Sequence, residues 1–287
     1  MNERVACIAH AASADWERLP EALAVLHRRF GRIPVYPVGS PGQAETTVRE
    51  LSEEVDVLVV YGGDGTVHQV ANGLPAVPAE SPVVAVLPGG TGNDLVRGLG
   101  LPVDPVEAAR AIVDGEPRAI DLLDTGTHRA VNGLNAGFAA AATDVLSRRA
   151  KLVLGRAAYT VGGLIAAVQL PRWPVRIELG DDVHEGEALA VVVGIGPSFG
   201  GGRILLPDAD LADGLLDATV VPADTAKGEL LAALARNRLP DGLPHLRGTS
   251  ATLATSMPCR LDGEAVPTPG QVRVLPGAWR LLLPGRV

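Results

Sequence analysis

The sequence predicts two domains of different class, an N-terminal three-layer α/β domain with a mostly parallel sheet and a C-terminal all-β domain resembling a sandwich. Over the first 120 residues, apolar runs alternate with helical periodicity, as in a β-α-β fold. Beyond about residue 120, short strand-like runs separated by turn residues dominate. Hydrophobic residues make up 47% of 287 positions, which is enough for two packed cores. We place the domains at 1–122 and 123–287 and leave open whether the C-terminal strand returns to the first domain.

The elements of the first domain follow one another as strand and helix. The third strand, VDVLVVY, is almost continuously apolar, as a parallel strand covered on both faces would be. Leu19, Leu23 and Leu26 have the spacing of one helix face. The predicted strands are Arg4–His10, Ile33–Val38, Val55–Tyr61 and Val83–Leu87. The predicted helices are Trp16–Arg29, Ala44–Leu51, one ending near Gly73, one ending near Leu99, and Pro105–Asp114.

The second domain is predicted to be rich in short strands. These strands are Ala119–Asp124, His128–Gly133, Val175–Leu179, Ala188–Ile195, Leu215–Val221, Ala251–Ala254 and Gln271–Leu275. Helical patterns are confined to Ala140–Gln169 and Ala226–Arg236. The apolar part of the first, Ala150–Leu170, fits either a lipid-facing or a core-packed helix, and we favour core packing because apolar stripes usually bury inside the protein.

Composition excludes several classes of protein. The net charge of −8 disfavours a nucleic-acid partner, which would select a basic surface. Cys7 and Cys259 form no C-x-x-C pair, so we expect two reduced thiols and no structural zinc. No apolar run reaches about 18 residues and no leader is recognisable, so we expect a cytoplasmic protein without a membrane-spanning helix. Transient contact with a membrane surface and a homodimer both stay open.

Two glycine-rich turns each follow a buried strand. Gly62–Thr66 (GGDGT) comes after the third strand, and Pro88–Asp94 (PGGTGND) comes after the fourth. Ligands of open α/β sheets bind beyond the carboxyl ends of the strands, where both turns are expected. Glycine lets the backbone approach a ligand closely, and N–H groups at a helix start attract an anion. The pair therefore predicts a phosphate site, to which Thr66 and Thr91 can add hydroxyl donors.

Each turn also carries an acid. Neither turn has the lysine of a Walker A loop; instead Asp64 lies in the first and Asp94 in the second. A carboxylate beside phosphate is repulsive unless a cation intervenes, so the pattern predicts Mg²⁺. For one isolated turn the alternative is an ordinary βα turn with a capping Asp. The repetition of Gly, Thr and Asp after two buried strands favours the ligand site.

At this point the sequence resembles a known family. GGDGT, followed by NGL at Asn72–Leu74, resembles the nucleotide-binding signature of diacylglycerol kinases, sphingosine kinases and bacterial lipid kinases, and NAD kinases share the GGDGT turn. LPGGTGNDLVRGLGLP resembles the second block of that family. Later blocks follow in the expected order: NGLNAGF at Asn132–Phe138, FGGG at Phe199–Gly202, PDADLADGLLD at Pro207–Asp217 and LDGE at Leu261–Glu264. The resemblance covers nearly the whole chain after residue 55.

The resemblance implies ATP as phosphoryl donor, Mg²⁺, and a lipid or small-molecule hydroxyl acceptor between the two domains. For His68, a capping or solvent role stays open beside a nucleotide contact. The implied contacts of the nucleotide and its Mg²⁺ are Ser40, Gly62, Gly63, Asp64, Gly65, Thr66, Val67, His68, Gly89, Gly90, Thr91, Gly92, Asn93, Asp94 and Asp121.

The resemblance also implies roles for acidic residues. Asp64, Asp94 and Asp121 would form a water-linked Mg²⁺ network. Asp262 or Glu264 would accept the proton of the acceptor hydroxyl, and the choice between them stays open. A second, structural Mg²⁺ would bind Asp213 with the main-chain oxygens of Asp210 and Leu215.

Departures from the family pattern keep two other functions open. The family opens with an N-P-x-x-G turn, whereas this chain has HAASAD at His10–Asp15. That loss fits a nucleotide-binding protein without catalysis, although the retained acids argue against it. Ala139–Ala142 lacks an acid usual in the family, and Ile195 replaces a polar residue. Those changes fit a kinase of the same mechanism acting on a soluble hydroxyl metabolite.

Overall fold

The computed structural model describes residues 3–13, 15–75, 77–137 and 170–285. The chain folds into two compact units. Unit 1 comprises Met1–Val131, Leu211–Gly214 and Leu275–Val287, and unit 2 comprises Asn132–Asp210 and Leu215–Val274. The predicted segments at Ala140–Gln169 and Ala139–Ala142 lie outside the described residues, as does Ala150–Leu170 except for its last residue.

Unit 1 is an α/β domain. Its helices are α1 (Leu19–Phe30), α2 (Gln43–Leu51), α3 (Asp64–Gly73), α4 (Asp94–Gly98) and α5 (Pro105–Ile112). Its strands are β1 (Val5–His10), β2 (Val35–Val38), β3 (Val57–Gly62), β4 (Val83–Pro88), β5 (Glu116–Asp124) and β6 (Arg129–Ala130). The C-terminal strand β17 (Gln271–Leu283) ends in this unit.

The parallel sheet of unit 1 places the ends of β3 and β4 side by side. The strand order is β2-β1-β3-β4-β17, and β3 pairs with β4 in register from Val57↔Val83 to Gly62↔Pro88. All six residues of β3 and of β4 are buried, because side chains of both faces are covered by packed helices and loops. Helix α1 packs against α5 and α2 against α3. The two glycine turns therefore begin at neighbouring strand ends.

Unit 2 is built from antiparallel strands. They are β7 (Gly133–Gly137), β8 (Trp173–Leu179), β9 (Asp182–Gly194), β10 (Ser198–Phe199), β11 (Arg203–Ile204), β12 (Leu216–Pro222), β13 (His245–Gly248), β14 (Ser250–Thr255), β15 (Cys259–Leu261), β16 (Glu264–Val266) and the first part of β17. One helix, α6 (Lys227–Leu234), is described here. The long strand β9 pairs with β8 over its first half and with β7 and β12 over its second.

The apolar core of unit 2 lies against the second half of β9. Leu189, Ala190 and Val192 of β9 pack with Phe199, Leu205 and Leu206, with Val221 of β12 and with Leu230 of α6. This arrangement confirms the predicted fold class, an α/β domain followed by a β-sandwich-like domain.

The predicted single strand His128–Gly133 is wrong in detail. The chain forms two strands there, because Arg129–Ala130 pairs with β5, whereas Gly133–Gly137 pairs with β9 and β15. Strand β9 begins six residues earlier than predicted, at Asp182, since its first half is polar and exposed and lacks an apolar pattern. In the described parts of the chain, no helix is long and apolar enough to cross a membrane.

Candidate active site

The two glycine turns of unit 1 lie against each other. The N–H of Gly89 donates to the carbonyl oxygen of Gly62 across 2.8 Å. A Cβ placed on Gly90 would lie 2.5 Å from the Cα of Gly63, closer than real Cβ atoms approach other atoms. Position 90 therefore requires glycine for a steric reason, and the close packing makes one joint surface from two turns that are 27 residues apart in the sequence.

The first turn is closed by its own helix. The carbonyl oxygen of Gly63 accepts from the N–H groups of Thr66 at 3.0 Å and Val67 at 3.1 Å, so α3 starts directly at Asp64. The Thr66 side chain packs over Gly62, where a Cβ would meet it at 2.6 Å. Helix geometry leaves the earliest N–H groups, including that of Gly65, without an intrahelical acceptor. A helix start of this kind attracts phosphate oxygens.

Thr66, Val67 and His68, members of the predicted nucleotide set in the first turn of α3, have buried side chains. The carbonyl oxygen of His68 accepts a hydrogen bond from the Asn72 side chain at 2.9 Å. Their burial indicates that they shape the first turn of α3.

The second turn is held by Asn93. This residue is in the left-handed region, with φ of 54°, which asparagine tolerates better than most residues. Its Oδ1 accepts from the N–H of Gly90 at 3.1 Å, and its Nδ2 donates to the Gly90 carbonyl at 2.7 Å. The Gly92 carbonyl accepts from Arg97 at 2.9 Å, and Thr91 is exposed at the tip of the turn. The Thr91 hydroxyl is thus available at the surface of the turn.

The structure brings two of the three predicted metal-network acids together. The N–H of Asp94 donates to Asp64 Oδ1 across 2.6 Å, and Asp94 is only 6% exposed. This bond connects the start of α3 with the start of α4. Because the carboxylate of Asp64 is fixed beside both turns, its negative charge lies where a phosphate-bound cation would be needed.

The third acid, Asp121, makes different contacts. It is 2% exposed, and its two carboxylate oxygens accept from the N–H groups of Gly214 and Gly277, each at 2.7 Å. Its own N–H donates to the Leu211 carbonyl at 2.7 Å. Asp121 therefore fastens the 211–214 segment and the C-terminal strand to β5 within unit 1.

Ser40 is held by a side chain of its own loop. Its hydroxyl donates to the Gln43 side-chain oxygen at 3.1 Å, and that oxygen also accepts from the backbone of Gly39 and of Ser40 itself. These bonds organise the exposed turn that precedes α2.

The two candidate bases of unit 2 differ in how they are held. Asp262 has φ of 48°, and its Oδ1 accepts from the N–H groups of Asn132 at 3.0 Å and Gly133 at 3.1 Å. Its own N–H donates to the Gly133 carbonyl at 3.0 Å. Glu264 is exposed at the start of β16. The Asp262 carboxylate is therefore oriented by two consecutive backbone N–H groups, on a residue whose backbone conformation few non-glycine residues adopt.

The residues predicted for a structural metal are close together in the sequence, between positions 210 and 215. Asp210 and Asp213 are exposed, Leu215 is partly buried, and Gly214 between them has φ of +75°. Within the described ranges, no group of three or more His, Cys, Asp or Glu side chains is placed to hold a metal ion. Two of the three predicted ligands are main-chain oxygens, so the predicted site stays a prediction.

Sequence reasoning missed several residues that support the site. Asn72 of α3 bonds reciprocally with β6: its Oδ1 accepts from the Arg129 N–H at 2.8 Å, and its Nδ2 donates to the Arg129 carbonyl at 2.9 Å. The position of Asn72 in the NGL motif is the sequence signal that could have indicated this contact between α3 and β6. Tyr61 and Ser13 lie beside the glycine turns, and only the position of Tyr61 directly before Gly62 pointed to it.

Comparison with known proteins places this arrangement in a family. Residues 7–125 match the diacylglycerol kinase catalytic domain, and residues 132–283 match the YegS C-terminal NAD kinase beta sandwich-like domain. The chain is 33% identical over 297 residues to the protein named "Probable lipid kinase YegS-like" of Pseudomonas aeruginosa, with 98% of this chain and 95% of that protein covered.

Two further relatives agree with these matches. The diacylglycerol kinase of Staphylococcus saprophyticus is 32% identical over 204 residues, covering 71% of this chain and 67% of that protein. The crystal structure of a diacylglycerol kinase from Bacillus anthracis str. Sterne matches with a TM-score of 0.80 at 27% identity, covering 98% of this chain and 97% of the other. The chain therefore belongs to the diacylglycerol kinase-like family of lipid kinases.

Proposed function

We propose that the chain is an ATP-dependent kinase that transfers the γ-phosphoryl group to a hydroxyl of a lipid alcohol such as diacylglycerol. The observation that carries this proposal is the pair of mutually packed glycine turns joined by the bond from Asp94 to Asp64. Phosphoryl transfer requires chiefly positioning and neutralisation of charge, which such a site is suited to provide. Membership of a lipid kinase family supports a lipid as the acceptor.

In this proposal, unit 1 binds the triphosphate. The N–H groups at the start of α3 and the hydroxyl of Thr91 donate to phosphate oxygens, and Gly63 and Gly90 allow the backbone to approach them. Asp64 and Asp94 fit Mg²⁺, because they are hard oxygen ligands held beside an anion site. When bound, Mg²⁺ would neutralise charge on the phosphates. The contacts of Asp121 favour a supporting role in which it holds the neighbouring chain segments.

The proton acceptor proposed for the reaction is Asp262. The acceptor hydroxyl oxygen forms a bond to the γ-phosphorus, the bond from that phosphorus to the β-γ bridging oxygen breaks, and ADP leaves. The hydroxyl proton passes to the carboxylate of Asp262. Two N–H groups hold Oδ1 and so orient the carboxylate that would take the proton. Glu264 lacks comparable anchoring in the described contacts, and we assign it a minor role.

Incubation with γ-labelled ATP, Mg²⁺ and lipid vesicles tests the proposal. Label should appear in a lipid product with wild-type enzyme and be nearly absent with Asp64→Asn. Label confined to soluble hydroxyl compounds would favour the same chemistry on a metabolite. Nucleotide binding without label in any acceptor would favour a non-catalytic protein.

A further inference from the structure

The loop after β1 is fastened to Tyr61, the residue directly before the first glycine turn. The Tyr61 hydroxyl donates a hydrogen bond to the carbonyl oxygen of Asp15. Trp16 packs edge-on against the Tyr61 ring, with the ring centroids 6.3 Å apart and the planes at 71°. Tyr61 is fully buried, and burial raises its pKa to about 12, so the hydroxyl stays a donor at neutral pH. The loop is thus tied to the end of β3.

The same loop rests on the second glycine turn through Ser13. The Ser13 Oγ lies 2.9 Å from the position that a Cβ on Gly89 would occupy. That oxygen is buried and has no hydrogen-bond partner among the described residues. Gly89 in turn donates to Gly62. A continuous series of contacts therefore joins Tyr61, the β1–α1 loop and both turns.

These contacts restrain the backbone of a loop that has no proline. The segment from His10 to Asp15 has no proline to fix a backbone angle, and its turn is closed by the bond from the Ser13 N–H to the His10 carbonyl at 3.0 Å. The contacts with Tyr61 and the second glycine turn add tertiary restraints to this local bond, and ordering a loop in advance lowers the entropy lost on binding a ligand. A buried hydroxyl without a partner, at the junction of two phosphate-binding turns, is also unusual enough to indicate a functional role.

We propose that Tyr61 is a positioning residue for the nucleotide: by holding the Asp15 carbonyl, it keeps the β1–α1 loop and the Ser13 hydroxyl seated on the second glycine turn in the conformation that binds the triphosphate. This inference rests on the proposed function, because it takes the paired turns to be the nucleotide site. Tyr61 acts through the loop and contacts no substrate.

The substitution Tyr61→Phe isolates the hydroxyl, since it keeps the buried ring and its contact with Trp16. A lost neutral hydrogen bond corresponds to about a three- to tenfold change in an equilibrium constant. We expect KM for ATP, and Kd for ADP measured by calorimetry, to rise by about that factor. The kcat and the KM for the lipid acceptor should stay unchanged. Tyr36→Phe is the matched control, because Tyr36 is 39% exposed on β2, and it should alter none of these values.

A second variant tests the same inference in case Tyr61→Phe fails to fold. Trp16→Leu removes the ring that packs against Tyr61 at a partly exposed position, and it should raise the same two constants. Equal changes in kcat and in both KM values, or lower thermal stability with unchanged ADP affinity, would assign Tyr61 a structural role alone and overturn the inference. If wild-type protein binds ADP and both variants bind it equally well, the inference fails while the proposed function stands. If wild-type protein binds no ADP, both fail.

Discussion

The backbone N–H of Asp94 donates to the Oδ1 of Asp64 across 2.6 Å, so the first residue of α4 is bonded to the first residue of α3. This bond connects two turns that the sequence separates and that the parallel pairing of β3 with β4 brings together. It also fixes the direction of one carboxylate at the proposed phosphate site. The charge of Asp64 and its bond to Asp94 can be tested separately.

Asp64→Asn should abolish most activity without unfolding unit 1. The amide oxygen can still accept from the Asp94 N–H, whereas the negative charge proposed to hold Mg²⁺ is lost. We expect kcat/KM to fall by about a hundredfold or more, as when a charge-stabilising group is removed from an active site. Lipid phosphorylation and thermal unfolding measure the two effects. Asp64→Ala should in addition cost about 1–3 kcal/mol of stability. Wild-type activity in Asp64→Asn would refute the metal role of this residue.

Asp262→Asn and Glu264→Gln should separate the two candidate bases. Loss of the base is expected to lower kcat by about 10²- to 10⁴-fold, and we expect that loss for Asp262→Asn. Glu264→Gln should change kcat by less than about tenfold, because its exposed side chain is not oriented by the backbone bonds that hold Asp262. Steady-state kinetics with saturating ATP tests both variants. The reverse ranking would transfer the role to Glu264.

Asp121→Ala should act mainly on stability. It removes the acceptor of two amide N–H groups, those of Gly214 and Gly277, at a position that is 2% exposed. Each unsatisfied group costs about 1–3 kcal/mol, so the loss of two acceptors should lower the free energy of unfolding by about 2–6 kcal/mol. Denaturant titration measures this value. Asp121→Asn keeps one acceptor oxygen and should show a smaller loss. A large fall in activity with unchanged stability would instead support the metal network implied by the resemblance.

Gly90→Ala tests the packing of the two turns. Its Cβ would lie 2.5 Å from the Gly63 Cα, so the backbone of one turn must move. We expect at least about a tenfold weaker affinity for nucleotide, since small displacements at such a site remove several aligned donors. Gly228→Ala on α6 is the control, because nothing lies within 4 Å of its Cβ position. Equal nucleotide affinity in both variants would contradict the steric argument.

Cys7 should be unreactive in the folded protein and should make stability depend on alkaline pH. Burial raises the pKa of its thiol from 9.0 to about 12. The unfolded chain therefore loses this proton near pH 9, while the folded chain retains it until about pH 12. The contribution of this thiol to the free energy of unfolding is fully present below about pH 9. It is lost as the pH rises from about 9 to 12, by up to about 1.4 kcal/mol per pH unit. Urea titrations of wild type and Cys7→Ala test this, and a pH-independent difference between them would contradict it.

Much of the fold could be predicted because periodicity and burial agree. Strands β3 and β4 are continuous apolar runs that are fully buried, and their order fixes where the glycine turns emerge. Strand β17 was predicted only to Leu275, since Pro276 and Gly277 resemble the end of a strand. Tertiary pairing overrides that local signal, because the strand continues to Leu283 and pairs with β4 at Leu281.

The residue types of the candidate site could be predicted from the sequence, whereas most contacts between them could not. Gly63 and Gly90 were named from their motif, but their mutual packing depends on strand pairing that the sequence does not state. The bonds of Asp121 to Gly214 and Gly277 join positions 93 and 156 residues apart, which no local pattern indicates. Tyr61 donates to the backbone carbonyl of Asp15. Because every residue type has such a carbonyl, the sequence gives no sign of this bond.

Isothermal titration with a non-hydrolysable ATP analogue tests the central claim most directly. We expect wild-type protein to bind one molecule of the analogue per chain in Mg²⁺, and Asp64→Asn, whose fold is verified by thermal unfolding, to bind it much more weakly. Chelation of Mg²⁺ should weaken binding to wild type far more than to Asp64→Asn. Absence of binding to folded wild-type protein, or equal affinity of the two proteins with and without Mg²⁺, would contradict the account.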